Sequence, residues 1–416
     1  MKIPLVISAF DRDACLSRLL QSLRLAVLPS DLKLIISIDG GAAGGVIRTA
    51  EEFAWDYGEK ELIYHEKNLG LRDHMLFCCS LSSDYDGVVV LEDDVIVSKH
   101  FYRYAHAAAL FYAADEHISA VSLYSLRTNE TTGFPFRPIQ DGFDCFFMQA
   151  ACTWGHCWLS HQWETFRHWY EHTAAIGLDP GDERIPPDIR SWPQSSLKKY
   201  ITTYLAENDR YFVYPRNSYT SNVGDSGIHQ RGTSVFQVPL QFAEETIRFV
   251  GFDESEVKYD AYSELLPSCL KRFAPQLEAF DFDVDLFGMK TKSYSDNKYI
   301  ITSKPCREPI RSFGRVMKPP EMNIICDYPG TDMFLADKNT VEDYTNYKDR
   351  VLAMHADYAE LYPYYFSIYP QHLDWIQNEK VERASLSIKN SWTYRLGNLL
   401  TKPVISLFHM LDKKNG

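Results

Sequence analysis

Glu92-Asp93-Asp94 follows the run Gly87-Val88-Val89-Val90-Leu91 with no spacer between them. Three consecutive carboxylates at the mouth of an apolar strand repel one another, and such a cluster is costly unless a cation offsets it. Hard divalent ions take oxygen ligands and leave positions open for phosphate. The segment therefore suits a Mg2+ or Mn2+ ion held on a diphosphate, with Asp94 as the metal ligand and its neighbours turned to sugar hydroxyls. The plain alternative is a solvated acidic turn opening the next helix, because carboxylates are favoured at helix N-termini. Side chains alternate along an extended chain, which predicts Glu92 and Asp94 on one side and Asp93 on the other.

Two shorter groups stand at equivalent places. Ser8-Ala9-Phe10-Asp11-Arg12 follows the first apolar run and puts Arg12 at the start of a helix, where anions are welcome and a guanidinium adds a fork for phosphate. A surface cap made by Asp11 or Asp13 is the alternative. Ile38-Asp39-Gly40-Gly41 closes the second apolar run. Its carboxylate can accept from a base N–H or a ribose hydroxyl while the glycines permit close backbone approach, or the group is an ordinary Asp-Gly turn.

The elements that must position these groups alternate in kind. Apolar runs predict strands over 4–10, 32–38, 61–65 and 87–91, and helical spacing predicts helices over 14–25, 48–57 and 71–81. Strands this apolar need cover on both faces, and strand–helix alternation implies a mostly parallel α/β sheet. In such sheets ligands bind beyond the carboxyl ends of the strands, which is where all three groups lie. A helix over 100–114, a strand over 120–123, a proline-bearing loop over 183–192, a helix over 197–205, a strand over 211–214 and a polar loop over 216–231 follow. The pattern changes near 240. The expected division is a catalytic domain over 1–239, a mixed, largely helical extension over 240–375, and a basic amphipathic tail over 376–416 that suits an anionic membrane surface or docking on the protein itself.

Composition narrows the function classes. The chain has 416 residues, 45% of them hydrophobic and 24% charged, which excludes a disordered or coiled-coil protein as a whole. Its net charge of -13 argues against a nucleic-acid partner. Nine cysteines, an odd number without a CxxC pair, read as thiols of a cytoplasmic protein. No signal peptide or long apolar span is expected, which leaves the inner face of the cell membrane as a peripheral location.

Read together, DRDACLSRLLQSL, IISIDGG, Asn68-Leu69-Gly70 and VVVLEDDVIVSKHFYRY resemble the nucleotide-sugar half of GT-A glycosyltransferases of the family-2 type, over about residues 3–235. The likeness is to the N-acetylglucosaminyltransferase I lineage and related bacterial polysaccharide enzymes. It implies a GT-A (Rossmann-like) fold with helices on both sheet faces, and sugar transfer from a nucleotide-diphosphate sugar, UDP-sugar first, to a glycan or lipid-linked acceptor. It further implies that Asp39 meets the uracil, Phe10 and His74 the nucleotide, Arg12 the diphosphate, Asp94 the metal, and Asp93 and Glu92 the ribose or donor sugar. Thr153-Trp154-Gly155 and Trp192 resemble the acceptor side, and Arg216, Asp225 and His229 a loop closing over the donor. Relatives carry an Asp just after the position of Trp192, where this chain has Pro193-Gln194. The nearest loop carboxylate able to act as general base is Asp188, with Asp225 and His229 as further candidates; if none serves, configuration is retained or the chain is inactive. Two rival classes stay open. A sugar nucleotidyltransferase would need a glycine-rich loop after the first strand, which Ala9-Phe10-Asp11-Arg12 is not. A non-catalytic carbohydrate-binding protein would need no base at all.

Overall fold

The protein is described by a computed structural model over residues 1–224, 236–244 and 246–342, all within the unit Met1–Asp343; a second unit spans Tyr344–Gly416. The expected tail over 376–416 lies outside the described residues, as do Asp225 and His229. The first half alternates as its sequence predicts: β1 (Leu5–Ala9), α1 (Asp13–Arg24), β2 (Leu34–Ile38), α2 (Gly44–Glu52), β3 (Lys60–Tyr64), α3 (Gly70–Ser80) and β4 (Gly87–Glu92). Then come β5 (Val95–Val97), α4 (Phe101–Phe111), β6 (Ile118–Ser122), β7 (Cys145–Met148), β8 (His156–Leu159), α5 (Ser160–Ile176), α6 (Pro187–Ser191), α7 (Leu197–Glu207), β9 (Tyr211–Pro215) and β10 (Thr220–Asn222). The remainder holds β11 (Lys258–Tyr259), α8 (Pro267–Phe273), β12 (Phe282–Asp285), β13 (Tyr299–Thr302), β14 (Pro309–Phe313), α9 (Glu321–Ile325) and β15 (Met333–Asp337).

Among the described residues the large sheet runs β11-β7-β9-β6-β8-β4-β1-β2-β3. β3, β2, β1 and β4 are parallel, and β8 enters antiparallel between β4 and β6. The period of two along each strand sorts side chains into two cores. Val6, Ile35, Val88 and Val90 pack with α3, α5 and α7, whereas Leu5, Ile7, Leu34, Val89 and Leu91 pack with α1 and α4. The result is a sheet covered by helices on both faces, with Leu16, Leu19, Leu20 and Leu23 forming the buried stripe of α1.

Three features depart from the sequence reading. Residue 239 is no boundary in the described structure. β11 extends the large sheet beside β7, and Leu265, Leu270, Phe282 and Leu335 belong to the same apolar cluster as Val6 and Trp158. The region after 240 contributes a four-stranded sheet, β12-β13-β15-β14, and only short helices. Finally, the proline-bearing loop over 183–192 contains α6, because Pro187 supplies a helical φ at a first-turn position where no N–H is needed.

Candidate functional site

β1 and β4 are neighbours, so their carboxyl ends bring Arg12 and the acidic run together across 81 residues of sequence. Arg12 stands at the N-terminal boundary of α1, and its side chain reaches both aspartates. Its Nη2 is bonded to Asp93 Oδ1, and its Nη1 donates to Asp94 Oδ2 at 2.9 Å. The predicted alternation therefore fails here. β4 ends at Glu92 and the chain turns sharply at Asp93-Asp94 into β5, so strand geometry no longer separates the two side chains. β5 is held by β10, and Val223 N donates to Asp94 O at 3.1 Å.

Burial and charge set the proton affinities of the cluster. Burial, then the Asp94 charge, pushes Glu92 up to about 8, although the Thr153 hydroxyl and Arg12 act against this. Burial likewise raises Asp93 to about 6 against the pull of Arg12. For Arg12 burial opposes the charge, and the two aspartates outweigh it and hold the guanidinium firmly protonated. Asp94 Oδ1 is buried and meets no hydrogen-bond partner. One unused anionic oxygen beside a second carboxylate suits Mg2+ or Mn2+, which binds through one or two carboxylates plus substrate phosphates. Among the described residues no group of three or more His, Cys, Asp or Glu side chains is gathered as a closed metal cage.

At the end of β2, Asp39 is buried and its carboxylate accepts from three backbone N–H groups: Gly40 at 2.8 Å, Leu69 at 2.7 Å and Gly70 at 3.0 Å. Two of these open α3, so Asp39 caps that helix from a distance. Gly40 is required for the same approach: a Cβ there would stand 2.1 Å from the Lys67 carbonyl carbon. His74 lies one turn into α3, buried, with Ser8 Oγ 3.1 Å from Nδ1 and Ser37 Oγ 2.8 Å from Nε2. Burial, against the Asp39 charge, lowers it to about 4, so the ring is neutral and ties α3 to β1 and β2. Phe10 is half-buried immediately beyond β1.

On the other flank, Trp154 is half-buried and Gly155 sits at φ +96°. Trp158 and Trp163 fill the core. Lys198, on α7, lies 5.8 Å from the ring centroids of both Trp154 and Trp192 and pairs with Glu130. Lys199 donates to the carbonyls of Arg190 (2.7 Å) and Trp192 (2.9 Å), fixing the end of α6. Asp188, on that helix, is pushed up to about 6 by burial, and its Oδ1 has no hydrogen-bond partner. Gln194 spends its side-chain oxygen on Tyr200 at 2.7 Å. Arg216 is a correction to the sequence reading. It is buried, donates to Phe143 O, Ile139 O and Asp141 through all three nitrogens, and so anchors the 139–143 segment instead of facing a donor. Lys198 and Glu130 leave no signal in the sequence, because their pairing spans 68 residues.

Gly155 provides a direct test of this packing. An added Cβ would stand 2.8 Å from Thr220 Cγ2 and 3.2 Å from Leu91 Cδ2. Gly155→Ala is expected to cost roughly 1–3 kcal/mol by strain at a positive φ and displacement of β10, read as a lowered Tm.

No family model matches the sequence, and no curated protein matches it. The structure is similar to solved glycosyltransferases over about half the chain. S. aureus TarS 1-349 in complex with UDP-GlcNAc matches with a TM-score of 0.37 and 12% identity over 56% of this chain and 62% of that one. The mannosyltransferase PcManGT from Pyrobaculum calidifontis in complex with GDP-Man and Mn2+ matches at 0.35 and 14%, covering 55% and 59%. Mouse xyloside xylosyltransferase 1, in its apo form, matches at 0.32 and 10%, covering 51% and 84%. The chain thus spans less than two thirds of the length of the first two.

Proposed function

We propose that this protein transfers a sugar from a nucleotide-diphosphate sugar, UDP-sugar first, to a hydroxyl of a glycan or lipid-linked saccharide during cell-surface polysaccharide synthesis. The observation that carries this reading is the Arg12–Asp93–Asp94 cluster at the carboxyl edge of β1 and β4, flanked by Trp154, Trp192 and the raised carboxylate of Asp188. The nucleotide lies over the ends of β1 and β2, beside Phe10, where Asp39 and His74 hold the backbone that shapes its pocket. Arg12 faces the diphosphate. Asp94, with Asp93 beside it, would hold a Mg2+ or Mn2+ ion, which would offset charge on the departing diphosphate. Glu92 meets a hydroxyl of the donor sugar. The acceptor ring stacks on a Trp face, and Asp188 takes the proton of its attacking hydroxyl. The segment 376–416 keeps the enzyme at an anionic membrane surface near a lipid-linked acceptor.

The test is turnover of radiolabelled UDP- and GDP-sugars with Mn2+ against saccharide and lipid-linked acceptors. Release of nucleoside diphosphate with a labelled glycan is expected. Pyrophosphate release would instead mark a nucleotidyltransferase, and saccharide binding without turnover a binding protein.

A further inference from the structure

We propose that Tyr262 is a positioning residue for the acceptor side: from the region after 240 it holds α6, which carries Asp188, and the hairpin over 127–136, which carries Glu130, in fixed relation to each other. Calling these two elements the acceptor side rests on the glycosyltransferase reading above.

α6 has five residues, too few to persist on its own hydrogen bonds. What grips its two ends therefore decides where Asp188 stands. Lys199 grips the carboxyl end through the Arg190 and Trp192 carbonyls. The approach to the amino end is gripped by Tyr262, whose hydroxyl donates to Glu183 O at 2.8 Å, with Ile185 O at 3.2 Å sharing the proton. Pro186 and Pro187 follow directly, and neither has an N–H with which to fix this approach. Thr291 adds a second tie from the same region, donating Oγ1 to Glu183 Oε2 at 2.6 Å.

The backbone of Tyr262 takes the hairpin. Asn129, which is 1% exposed, donates Nδ2 to Tyr262 O at 3.1 Å. Its Oδ1 accepts from Thr131 N at 2.9 Å and Thr132 N at 3.2 Å, and its own N–H donates to Phe134 O at 2.7 Å. These bonds shape the tip that bears Glu130. Phe134 also stacks on Phe287, with ring centroids 6.4 Å apart. One residue thus meets α6 with its side chain and the hairpin with its carbonyl.

Tyr262 is itself held firmly. It is buried in a loop that continues β11 and is closed by Leu266 N donating to Lys258 O at 2.9 Å. Asp260 Oδ1 accepts from Tyr262 N at 2.9 Å and Glu264 N at 3.0 Å, while its Oδ2 pairs with the buried Lys290. Lys290 lies 4.3 Å from the ring centroid of Tyr294, which meets Tyr262 edge-on at 5.7 Å. A buried ion pair is kept at little cost only when its remaining donors and acceptors are met, and here Asp260 spends one oxygen on the Tyr262 backbone. β11 joins the large sheet through β7, so the loop ties both elements to that sheet.

The test uses the full chain and reads the tether before the chemistry. Tyr262→Phe keeps the ring and the carbonyl but frees the Glu183 and Ile185 carbonyls. Asn129→Asp keeps the acceptor for Thr131 and Thr132 but loses the donor to Tyr262. In hydrogen exchange, Tyr262→Phe is expected to speed residues 183–192 about tenfold and leave 127–136 unchanged, and Asn129→Asp to do the reverse. In transfer assays Tyr262→Phe should lower kcat about tenfold, because a misplacement of about 1 Å is costly at a reacting centre, while the donor KM and the affinity for UDP stay the same. Ile301→Val, a core change in β13, lowers Tm and should leave kcat and exchange at 183–192 as they are. The proposal is overturned if exchange in both segments matches the wild type, if UDP affinity falls along with kcat, or if Ile301→Val reproduces the loss of kcat. A wild-type chain that turns over no donor sugar overturns the glycosyltransferase reading instead, and the exchange result decides the tether in either case.

Discussion

Asp94→Ala is expected to remove divalent-cation-dependent binding of the nucleotide sugar and to lower kcat/KM by about a thousandfold or more, a loss typical of a group that supports transition-state charge. The fold should survive. β5 is held by backbone pairing with β10, and Asp94 contributes its carbonyl to Val223 whatever its side chain. Arg12 keeps Asp93 as a partner. Removing Asp94 also deletes a buried oxygen without a hydrogen-bond partner and one of the charges that raise Glu92, so the stability change is small. Calorimetry with Mn2+ and UDP, alongside melting of the same sample, checks both halves. Unchanged Mn2+-dependent affinity in the variant would remove the metal role of Asp94. Asp94→Asn, which keeps the shape and loses the charge, should behave like the alanine variant.

The sequence reading reached the frame of this site because the frame is local. β1, β2 and β4 are mainly apolar runs, and each ends in the polar group that the parallel sheet brings to a common edge. Where a group's role depends on residues far away, that reading had nothing to work from. Asp39 is engaged by backbone from the start of α3, 30 residues on, and His74 by serines on two different strands. Arg216 meets Asp141 75 residues earlier, and Lys198 meets Glu130 at a separation of 68. None of these pairings leaves a periodic signature. Other misses come from punctuation. A turn at Asp93-Asp94 cancels strand alternation, and Pro187, read as a breaker, begins a helix. The insertion of β8 between β4 and β6 was equally silent, since a four-residue apolar run can be strand or helix.

Asp188 carries the second large prediction. On the proposed reading Asp188 deprotonates the acceptor and must be ionised, so kcat/KM should fall tenfold per pH unit below about 6, the value to which burial raises it. Asp188→Asn should lower kcat by about two to four orders of magnitude and abolish that acid limb, while donor affinity is unchanged. Stability moves in the opposite direction. A carboxylate whose folded pKa is raised supports the fold below its unfolded value near 3.8 and loses that support as pH rises through about 6. The neutral amide has no such loss. Above pH 6 the variant should therefore be the more stable protein, by about 1–2 kcal/mol after allowance for partial exposure, and the difference should vanish by about pH 4. Paired pH–rate and pH–melting profiles measure both. A variant that is slow and also less stable at pH 8 would show that Asp188 braces α6 rather than serving as the base, and Glu130, the other carboxylate of this flank, would then be the residue to test.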